Sequence, residues 1–438
     1  MLKLSLTISV SKLIKQATNL VPSLGGTALP GLVALKLDKD ILKKIIIKNK
    51  LHSIIITGTN GKTTTSRLVA QVLTKPKLPF FQNRSGSNLI RGITSSLLDQ
   101  ASIKGKLPSN FAIFEVDEAV VLKLSRVLNP KIILFNNLFR DQLDRYGEID
   151  SILTKWQETL KHLNSKTTII YNCDDPSLEY LTQNYKKKVS FGLSKSLAKS
   201  KTLSSSADAI FCLICHKKLN FSHIFTSHLG HYSCPSCHFK RPNPQITLNS
   251  KINSLELHNQ YNFLAAKAVA KTLKIDSNTI SQGLGSFTPA FGRGEIFNLG
   301  GVNTKILLVK NPTGYNVILE SLSQKKLLKS TPILLALNDN LADGTDVSWI
   351  WDVDFNYLKY QKAPIIVSGI RAKDLQLRLK YAGVRSSKIT LEPNLKKALN
   401  LLKKQASPSA YILPTYTAML SLRKILVKQK LIHSTWKD

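Results

Sequence analysis

The sequence predicts an α/β protein with three parts: a central parallel-sheet domain with a phosphate-binding loop, an inserted four-cysteine zinc ribbon, and a C-terminal Rossmann-like α/β domain. Three observations predict this class. Short apolar, β-branched segments alternate with helical segments from about residue 46 onward. A glycine loop with a lysine follows the first of these strands, and two Cys-x-x-Cys pairs stand in the middle of the chain. At 438 residues, the chain is long enough for two or three domains.

The chain is strongly basic, with 62 Lys and Arg against 27 Asp and Glu and a net charge of +35. Such a charge attracts nucleic acid, anionic lipid head groups or polyanionic substrates without choosing among them. The lysines are spread along the whole chain and lack the clustering and aromatic interleaving of a nucleic-acid-binding face, which argues against a nucleic-acid-binding ATPase. Lysines interrupt the apolar residues near the N-terminus, and no run of about 18 apolar residues occurs. We therefore expect a soluble cytoplasmic protein.

Residues 1–45 contain two helix-like segments around a glycine-rich loop, Gly25–Gly31, and are expected to pack on the central domain. The central domain is expected over residues 46–300. Its predicted strands are Ile54–Thr57, Phe111–Val116, Ile132–Asn136 and Thr168–Tyr171. Because strands alternate with helical segments, the sheet should be parallel, and ligands should gather at the carboxyl ends of its strands.

The phosphate-binding loop follows the first strand and reads Gly58-Thr59-Asn60-Gly61-Lys62-Thr63-Thr64. Glycines let backbone N–H groups approach phosphate oxygens, and the following helix offers its positive N-terminus. Lys62 is placed to reach the β- and γ-phosphates, and Thr63 to ligate Mg²⁺. The general G-x-x-x-x-G-K-[ST] pattern has glycine where Ile56 stands, so a plain strand-to-helix turn with a solvated lysine is the alternative. The strand before the loop and the helix after it favour the phosphate site.

Acidic and amide residues recur where later strands end. Glu115 ends the second strand within a run of three acids, and its carboxylate is placed to hold Mg²⁺, with a helix cap or surface acid as the alternative. Similar polar runs follow the next strands, at 136–147, 172–176 and 309–314. Together they predict a metal–nucleotide site at one edge of the sheet.

Four of the five cysteines form two pairs, separated by 18 residues: Cys212, Cys215, Cys234 and Cys237. Four thiolates presented from two tight turns suit a closed, tetrahedral Zn²⁺ site. Two disulfides are the alternative, which an intracellular nucleotide-binding protein disfavours. His216, His231 and His238 lie nearby, but four cysteines already fill the coordination sphere. The fifth cysteine, Cys173, is expected to be a buried strand-end residue.

The cysteine module, about residues 207–245, is expected to be inserted into the central domain after a linker at 194–206. A helix with Tyr261 and Leu264 on its apolar face then resumes that domain. The C-terminal α/β domain is expected over 301–438. Its predicted strands are Ile306–Val309, Pro332–Ala336, Ile365–Val367 and Ala410–Leu413.

These residues resemble the Mur ligase family of ATP-dependent enzymes, which join amino acids to the peptidoglycan precursor. Gly58–Thr63 is similar to that family's phosphate loop, which explains the residue at position 56. The resemblance implies that Glu115 holds Mg²⁺, that Asn259 and Asn262 lie near the adenine, and that Arg293 belongs to the ATP site. Asp174-Asp175-Pro176 follows in the expected order.

One departure from the family pattern stands out. The usual Asp-His-Leu-Asp is Asp141-Gln142-Leu143-Asp144 here, so the histidine that would ligate a second Mg²⁺ is replaced by Gln142. The resemblance therefore does not carry over a second Mg²⁺, nor a carbamylated lysine, for which Lys155 is the nearest residue.

Longer motifs resemble one subgroup of the family, the MurT-type synthetase subunits of lipid II isoglutaminyl synthases. They are the four-cysteine insertion, Asn83-x-x-Gly86-x-Asn88-Leu89-x-x-Gly92, Lys310-Asn311-Pro312, Asp343–Asp352, Ser368–Ala372 and Leu413–Leu420. The resemblance implies that ATP phosphorylates the α-carboxylate of D-glutamate in lipid II at the inner face of the membrane, and that ammonia displaces phosphate to leave D-isoglutamine.

The chain offers no convincing glutaminase, because its one cysteine outside the zinc set lies in an Asn-Cys-Asp-Asp-Pro loop. The resemblance implies a partner, a GatD-like glutamine amidotransferase that forms a heterodimer with this chain. It also implies that Asp352, with Asp346 as the second candidate, completes the partner's cysteine–histidine triad. The alternative is that both aspartates are surface or cap residues beside two interface tryptophans.

Another Mur ligase or a folylpolyglutamate synthase-type amino-acid ligase remains the rival interpretation. Such an enzyme would keep the histidine that Gln142 replaces and would lack the four cysteines. A purely structural zinc protein is hard to reconcile with the phosphate loop.

Overall fold

The computed structural model describes residues 2–20, 28–83, 87–141, 149–198, 200, 203–204, 207–248, 257–285, 293–324, 330–405 and 408–432. These form two compact units. The first consists of residues 1–138, 149–202 and 209–287, and the second of residues 139–148, 203–208 and 288–438.

The first unit is built on a seven-stranded sheet in which every neighbouring pair is parallel. The strands of this unit, in chain order, are β1 (His52–Thr57), β2 (Phe81–Gln82), β3 (Phe111–Glu115), β4 (Ile132–Phe135), β5 (Thr168–Asn172), β6 (Lys188–Leu193), β7 (Asn220–Thr226), β8 (Leu229–Ser233) and β9 (Ile246–Leu248). The sheet order is β2-β3-β1-β4-β5-β6-β9, and β7 and β8 form a separate antiparallel hairpin.

Ten helices belong to the described part of this unit. They are α1 (Leu2–Leu20), α2 (Leu29–Leu37), α3 (Ile41–Lys48), α4 (Lys62–Thr74), α5 (Ile90–Gln100), α6 (Val121–Leu128), α7 (Ile149–His162), α8 (Pro176–Thr182), α9 (Leu257–Thr272) and α10 (Ser277–Gly285). Short 3₁₀ turns cover Glu118–Val120 and Lys195–Leu197.

The central strand β1 fixes where polar residues meet. It pairs with β3 on one side and β4 on the other, with Ile54 opposite both Ile113 and Ile132. Apart from His52 and Phe111 at the starts of β1 and β3, every residue of the three strands is buried, which fits their largely β-branched and aromatic composition. Because the three strands run the same way, the residues after β1, β3 and β4 lie at one edge of the sheet.

The second unit has a six-stranded sheet in the order β10-β11-β15-β12-β13-β14, with only the edge strand β10 antiparallel. Its strands are β10 (Arg293–Leu299), β11 (Val302–Leu307), β12 (Ile333–Ala336), β13 (Ile365–Ser368), β14 (Ile389–Leu391) and β15 (Ser409–Pro414). Its helices are α11 (Pro312–Gln324), α12 (Ala372–Tyr381), α13 (Leu395–Gln405) and α14 (Tyr416–Lys428), with 3₁₀ turns at Ser348–Asp352, Phe355–Leu358 and Ser386–Lys388.

Helices cover both faces of this second sheet. Along β12, Ile333 and Leu335 join one apolar core, whereas Leu334 and Ala336 join the other. This alternation is the two-residue period of a strand with both faces buried.

The structure confirms the predicted α/β class, the central parallel sheet and the C-terminal α/β module. The predicted strand at Ile306–Val309 ends two residues earlier, at Leu307. The strands β2, β6, β9, β10 and β14 and the hairpin strands β7 and β8 are not predicted from the sequence. Residues 25–27 of the predicted loop Gly25–Gly31 lie outside the described residues, and residues 29–31 belong to α2 instead, where Pro30 stands in the first turn. Among the helices described, none combines the length and apolar character that crossing a bilayer requires.

Candidate functional site

The loop between β1 and α4 depends on two glycines in the left-handed region, Gly58 with φ 130° and Gly61 with φ 85°. A Cβ atom on Gly58 would lie 2.9 Å from both the Asn136 Cβ and the Asn137 carbonyl oxygen. A Cβ on Gly61 would overlap the Asn262 side chain. Only glycine fits these positions, and Gly61 is the N-cap of α4, so the helix N-terminus faces the loop.

The Lys62 side chain is buried and turns back over the loop. Its Nζ donates to the carbonyl oxygen of Gly58 at 2.6 Å and forms an ion pair of 2.9 Å with Glu118 Oε2. Burial disfavours the charged amine, but the Glu118, Asp117 and Glu115 carboxylates more than offset this and raise the pKa of Lys62 above its ordinary value. The loop therefore holds a fixed positive charge.

Thr63 and Glu115 come together, as the sequence predicts. The Thr63 hydroxyl donates to Glu115 Oε1 at 3.0 Å, and both residues are buried. Asn83 fixes the end of β3, because its Oδ1 accepts from the Glu115 N–H at 2.8 Å and its Nδ2 donates to the Glu115 carbonyl at 3.0 Å. A hydroxyl and a carboxylate held this way fit the oxygen ligands that Mg²⁺ prefers.

Asparagines after β4 hold the loop from the other side. Asn137 Oδ1 accepts from the Asn60 N–H at 2.8 Å, and Asn137 Nδ2 donates to the Asn60 carbonyl at 3.1 Å. The Thr59 N–H donates to the Asn137 carbonyl at 3.1 Å. Asn136 Nδ2 donates to Thr65 Oγ1 at 3.2 Å. The strand pairing of β1 with β4 thus fixes the backbone of the loop.

The two asparagines of α9 lie one helical turn apart beside the same loop. Asn262 Oδ1 accepts from the Thr65 hydroxyl at 3.2 Å, and Asn262 Nδ2 donates to Asn259 Oδ1 at 3.3 Å. Thr64 is buried on the first turn of α4. Eight of the predicted nucleotide-site residues, Gly58 to Thr64 and Asn262, are therefore contiguous, with Asn259 next to them.

Asp174 and Asp175 occupy different structural positions. Asp174 is fully buried and accepts from Arg241 Nε at 2.6 Å, Tyr261 Oη at 2.7 Å and the Leu193 N–H at 2.9 Å. Asp175 caps α8 through the Ser177 N–H at 2.9 Å and accepts from the Leu138 N–H at 2.8 Å. Asp174 connects the end of β5 to β6 and α9. Asp175 holds Leu138, which directly follows Asn136 and Asn137.

The four paired cysteines converge on one point, with all four Sγ atoms within 4.8 Å of one another. Cys212 and Cys237 Sγ are 3.5 Å apart, and Cys215 and Cys234 Sγ are 3.4 Å apart. Four thiolates about 2.3 Å from a tetrahedral Zn²⁺ would lie about 3.8 Å from one another. The cluster therefore fits zinc, and the free cysteines argue against the two disulfides.

Each cysteine pair lies in a matching turn. His216 and His238, one residue after each pair, have φ of 59° and 61°, so these histidines close the turns. The Cys212 N–H donates to the Lys217 carbonyl, and the Cys234 N–H to the Phe239 carbonyl. Backbone N–H groups of Cys237 and Ser236 lower the pKa of Cys234 to about 6, whereas at Cys237 the Phe239 backbone N–H is outweighed by burial and the other three thiols, which raise its pKa. Cys234 is therefore the more readily ionised of these two thiols.

The β7–β8 hairpin attaches the zinc ribbon to the chain just after the carboxyl end of β5. The Gly230 N–H donates to the Asp174 carbonyl at 2.9 Å, and Tyr232 Oη donates to the Cys173 carbonyl at 3.2 Å. His228 is fully buried, with Nε2 3.7 Å from Asp175 Oδ1. Cys173 is buried at the end of β5, as the sequence predicts.

Asp352 and Asp346 lie in the second unit. Asp352 ends a 3₁₀ turn, is partly exposed, and lies 3.3 Å from Arg140 Nη1. Asp346 is exposed and accepts from the Ser348 N–H at 2.7 Å. Trp351, 49% exposed, meets the ring of Tyr381, 73% exposed, edge to face at 5.4 Å. An exposed aromatic surface therefore adjoins Asp352.

Motifs that are distant in sequence meet at the carboxyl edge of this second sheet. Asn338 Oδ1 accepts from the Ile370 N–H at 3.0 Å, and its Nδ2 donates to Thr417 Oγ1 at 3.0 Å. Asp343 accepts from the Thr417 N–H at 2.8 Å. The segments 343–352, 368–372 and 413–420 thus form one structure.

Several residues were not assigned a role from sequence. Glu118 belongs to the run of three acids after β3, and that run is the one feature of the sequence that points to it. The ion pair of Lys310 Nζ with Asp141 Oδ2, 2.6 Å long, had no signal in the sequence. The Arg293 side chain and residues 142–148, which include Gln142, lie outside the described residues. Lys155 lies on α7 beside the buried Trp156.

Family models match both parts of the chain. The Mur ligase middle domain matches residues 56–270, and the MurT ligase C-terminal domain matches residues 308–419. The phosphate loop and the cysteine cluster fall in the first match, and Asp346 and Asp352 fall in the second.

Whole-length relatives agree with these models. The chain is 33% identical to the lipid II isoglutaminyl synthase (glutamine-hydrolyzing) subunit MurT of Streptococcus pneumoniae, over 93% of this chain and 94% of that protein. It is 36% identical to the subunit of the same name from Staphylococcus aureus, over 86% of this chain and 87% of that protein.

Solved structures show the same fold. A pseudomurein peptide ligase type C from Methanothermus fervidus matches with a TM-score of 0.67 at 23% identity, covering 90% of this chain and 81% of that chain. MurF ligase from Thermotoga maritima, in complex with ADP, matches with a TM-score of 0.59 at 15% identity, covering 91% of this chain and 85% of that chain. The chain therefore belongs to the MurT family of Mur ligase-type enzymes, whose curated members are subunits of lipid II isoglutaminyl synthase.

Proposed function

We propose that this protein amidates the α-carboxylate of the D-glutamate residue in lipid II, using ATP and ammonia, and that a GatD-like glutamine amidotransferase supplies the ammonia. The observation that carries the proposal is the identity of 33% and 36% to MurT subunits, over 93% and 86% of this chain. Peptidoglycan synthesis is the process in which the protein acts. The rival, an amino-acid-adding ligase, has weaker support, since an L-alanine ligase relative is 27% identical over 78% of this chain.

The reaction needs two steps because a carboxylate is a poor electrophile. A carboxylate oxygen attacks the γ-phosphorus of ATP, ADP leaves, and an acyl phosphate forms. The nitrogen lone pair of ammonia then attacks the carbonyl carbon, phosphate leaves, and a proton is lost to give the amide. In the first step, negative charge moves onto the transferring phosphoryl group and ADP.

The phosphate loop supplies the charge that this step requires. Backbone N–H groups at the start of α4 and the ammonium of Lys62 would bind the phosphates of ATP, for which Gly58–Thr64 would form the cradle. Thr63 and Glu115 would hold Mg²⁺, which neutralises phosphate charge and orients ATP when bound. Asn262 lies beside Gly61 and Thr65, and Asn259 and Asn262 are proposed to lie near the adenine. Arg293 is proposed as a further ATP-binding residue.

Ammonia has to come from another chain. Among the described residues, the one cysteine outside the zinc cluster, Cys173, is buried, and burial raises its pKa well above the usual value, so it is not suited to attack glutamine. The aromatic surface formed by Trp351 and Tyr381 supports a protein interface, because exposed aromatic residues are typical of interface centres. Asp352, beside that surface, is proposed to orient the partner's catalytic histidine.

We assign these roles to three regions. Residues 46–300 bind ATP, with residues 1–45 packed on them. The inserted ribbon at 207–245 binds zinc, and residues 301–438 carry the partner interface. Zinc in the ribbon is structural, because four cysteines leave no open ligand position for chemistry.

Purified protein with lipid II, ATP and Mg²⁺ tests the proposal. With ammonium chloride the protein alone should release phosphate and give amidated lipid II, measured by mass spectrometry. Glutamine should support the reaction only after the amidotransferase subunit is added. Absence of amidated product with ammonium chloride would reject the proposal, and incorporation of an amino acid instead would favour the rival ligase.

A further inference from the structure

Helix α1 packs on its neighbours with one side and leaves three leucines exposed on the other. Its contact with α2 and α5 uses small polar residues, since Thr7 and Ser11 are buried and Ser11 Oγ donates to the Pro30 carbonyl at 3.3 Å. Among residues 2–18 of α1, whose burial the structure describes, Ile8 is the one fully buried large apolar residue, and Leu4, Val10 and Ile14 are half-buried. The contact therefore leaves Leu2, Leu6 and Leu13 exposed.

Three leucines, Leu2, Leu6 and Leu13, form a leucine stripe along the outer side of α1. They are 89%, 63% and 63% exposed. With about 100° between successive residues, they fall within about 40° of one another around the helix, and the buried Thr7 and Ser11 lie about 120° to 160° away. Three leucines aligned in water on one helix differ from the scattered exposed residues that every surface shows.

Lysines border the leucine stripe on both sides. Lys3 and Lys12 lie about 80° to 100° from its centre, one on each flank. The helix contains no acidic residue. Basic residues beside an apolar stripe are typical of helices that lie in a membrane interface, where leucines enter the acyl region and lysines reach the head groups.

Two exposed isoleucines lie on elements that contact α1. The turn at 102–105 contacts α1, because a Cβ on Gly105 would lie 3.1 Å from a Leu4 methyl group. The same turn accepts a 2.9 Å hydrogen bond at the Gly105 carbonyl from Asn49, at the end of α3. Ile103 in this turn is 57% exposed, and Ile47 of α3 is 65% exposed.

The positive charge of this region indicates what binds the leucine stripe. Residues 2–50 contain nine lysines and only two aspartates. Each lysine near an anionic bilayer surface adds to the attraction, because lysines meet the head groups while leucines enter the acyl region. A second copy of this chain would bring the same lysines together and be repelled.

We propose that the leucine stripe of α1, with its flanking lysines, docks the protein on the surface of an anionic phospholipid bilayer. Membrane docking goes beyond the proposed function. It rests on that function in one respect, because the proposed substrate is lipid-linked and lies in the bilayer surface. The helix lies in the interface plane and leaves the bilayer core uncrossed.

Vesicle co-sedimentation of the full chain tests the proposal. Wild-type protein should bind phosphatidylglycerol-containing vesicles and not phosphatidylcholine vesicles, and binding should weaken with salt. The double variant L6Q/L13Q should bind about tenfold or more weakly, because two leucines no longer enter the acyl region. K3Q/K12Q should also bind more weakly and show less salt dependence. The matched control L78Q changes a leucine that is 49% exposed after α4 and should bind like wild type.

Amidation assays in detergent and in vesicles distinguish a failure of the docking proposal from a failure of the proposed function. L6Q/L13Q should retain amidation of detergent-solubilised lipid II and lose it on lipid II in vesicles. Wild-type vesicle binding without amidation in detergent would overturn the function and leave docking intact. Docking is overturned if L6Q/L13Q binds vesicles like wild type, or if the variant instead changes the oligomeric state or the affinity for the partner subunit.

Discussion

Lys62 and Glu118 form a buried ion pair, with 2.9 Å between Nζ and Oε2, directly behind the phosphate loop. The Glu118 carbonyl in turn accepts from Trp156 Nε1 at 3.0 Å, which anchors the 3₁₀ turn that carries it. The lysine that is proposed to meet phosphate is thereby held in place by a carboxylate that approaches from β3.

Glu118→Gln should destabilise the fold by about 3 kcal/mol, because it leaves a buried ammonium without its carboxylate. The pKa of folded Lys62 is raised, so the pair's contribution is fully present below the unfolded pKa of about 10.5 and is lost only above it. Urea unfolding at about pH 7 and about pH 9 should therefore give the same loss. The exposed Glu158→Gln serves as the control and should change little. An equally small change in Glu118→Gln would contradict the structural role.

Glu115→Gln should raise the Mg²⁺ concentration needed for half-maximal ATP turnover by about tenfold or more, because a neutral amide is a poorer Mg²⁺ ligand than a carboxylate. The amide can still accept from the Thr63 hydroxyl, so thermal stability should fall little. A magnesium titration of initial rates measures the effect. An unchanged magnesium requirement would remove Glu115 from the proposed metal site.

Gly61→Ala should destabilise the protein for two separable reasons. The left-handed φ costs about 1–2 kcal/mol for a residue with a Cβ, and that Cβ overlaps Asn262. In an Asn262→Ala background only the first cost should remain, and the difference measures the overlap. Gly285→Ala is the control, since no atom lies within 4 Å of its Cβ. Equal costs in both backgrounds would show that Asn262 does not restrict the loop.

Cys212→Ser should lose zinc and raise amide hydrogen exchange in the β7–β8 hairpin, including at Gly230, whose N–H bonds to the Asp174 carbonyl. The melting temperature should fall with it. Cys173→Ala should retain zinc, because Cys173 is not part of the cluster. Metal analysis and hydrogen-exchange mass spectrometry report on both variants. Full zinc content and unchanged exchange in Cys212→Ser would refute the zinc site.

Asp352→Asn should lower glutamine-driven amidation by about 10²- to 10⁴-fold and spare ammonium-driven amidation, because an orienting acid is lost only from the partner's triad. Asp346→Asn is the matched comparison and should retain both activities. Loss of both activities in Asp352→Asn would place the residue in the synthetase site. Loss of glutamine-driven activity in Asp346→Asn alone would reverse the assignment.

The sequence predicts those parts of the fold that local pattern determines. The buried strands β1, β3, β4 and β5 are continuous apolar runs, and the phosphate loop and the cysteine pairs have fixed spacings. Parallel pairing then places Glu115 and Asn136 on either side of the loop, which follows from the strand order alone.

Contacts that depend on side-chain geometry could not be predicted. The strands β2 and β9 have two and three residues, too few for a periodic pattern. The Lys62–Glu118 pair needs the 3₁₀ turn after β3, and the docking of the ribbon on Asp174 needs the hairpin to reach β5. The leucine stripe of α1 could not be predicted for another reason. The sequence does not show which side of the helix packs on its neighbours, so its leucines are equally consistent with a buried face.

Transfer of oxygen from substrate to phosphate tests the central claim most directly. Lipid II labelled with ¹⁸O in the D-glutamate α-carboxylate is incubated with the protein, ATP, Mg²⁺ and ammonium chloride, and the released phosphate is analysed by mass spectrometry. Attack of the carboxylate on ATP predicts one labelled oxygen in each phosphate released with amidated product. Amidated product accompanied by unlabelled phosphate would contradict the acyl phosphate and, with it, the proposed role of the phosphate loop.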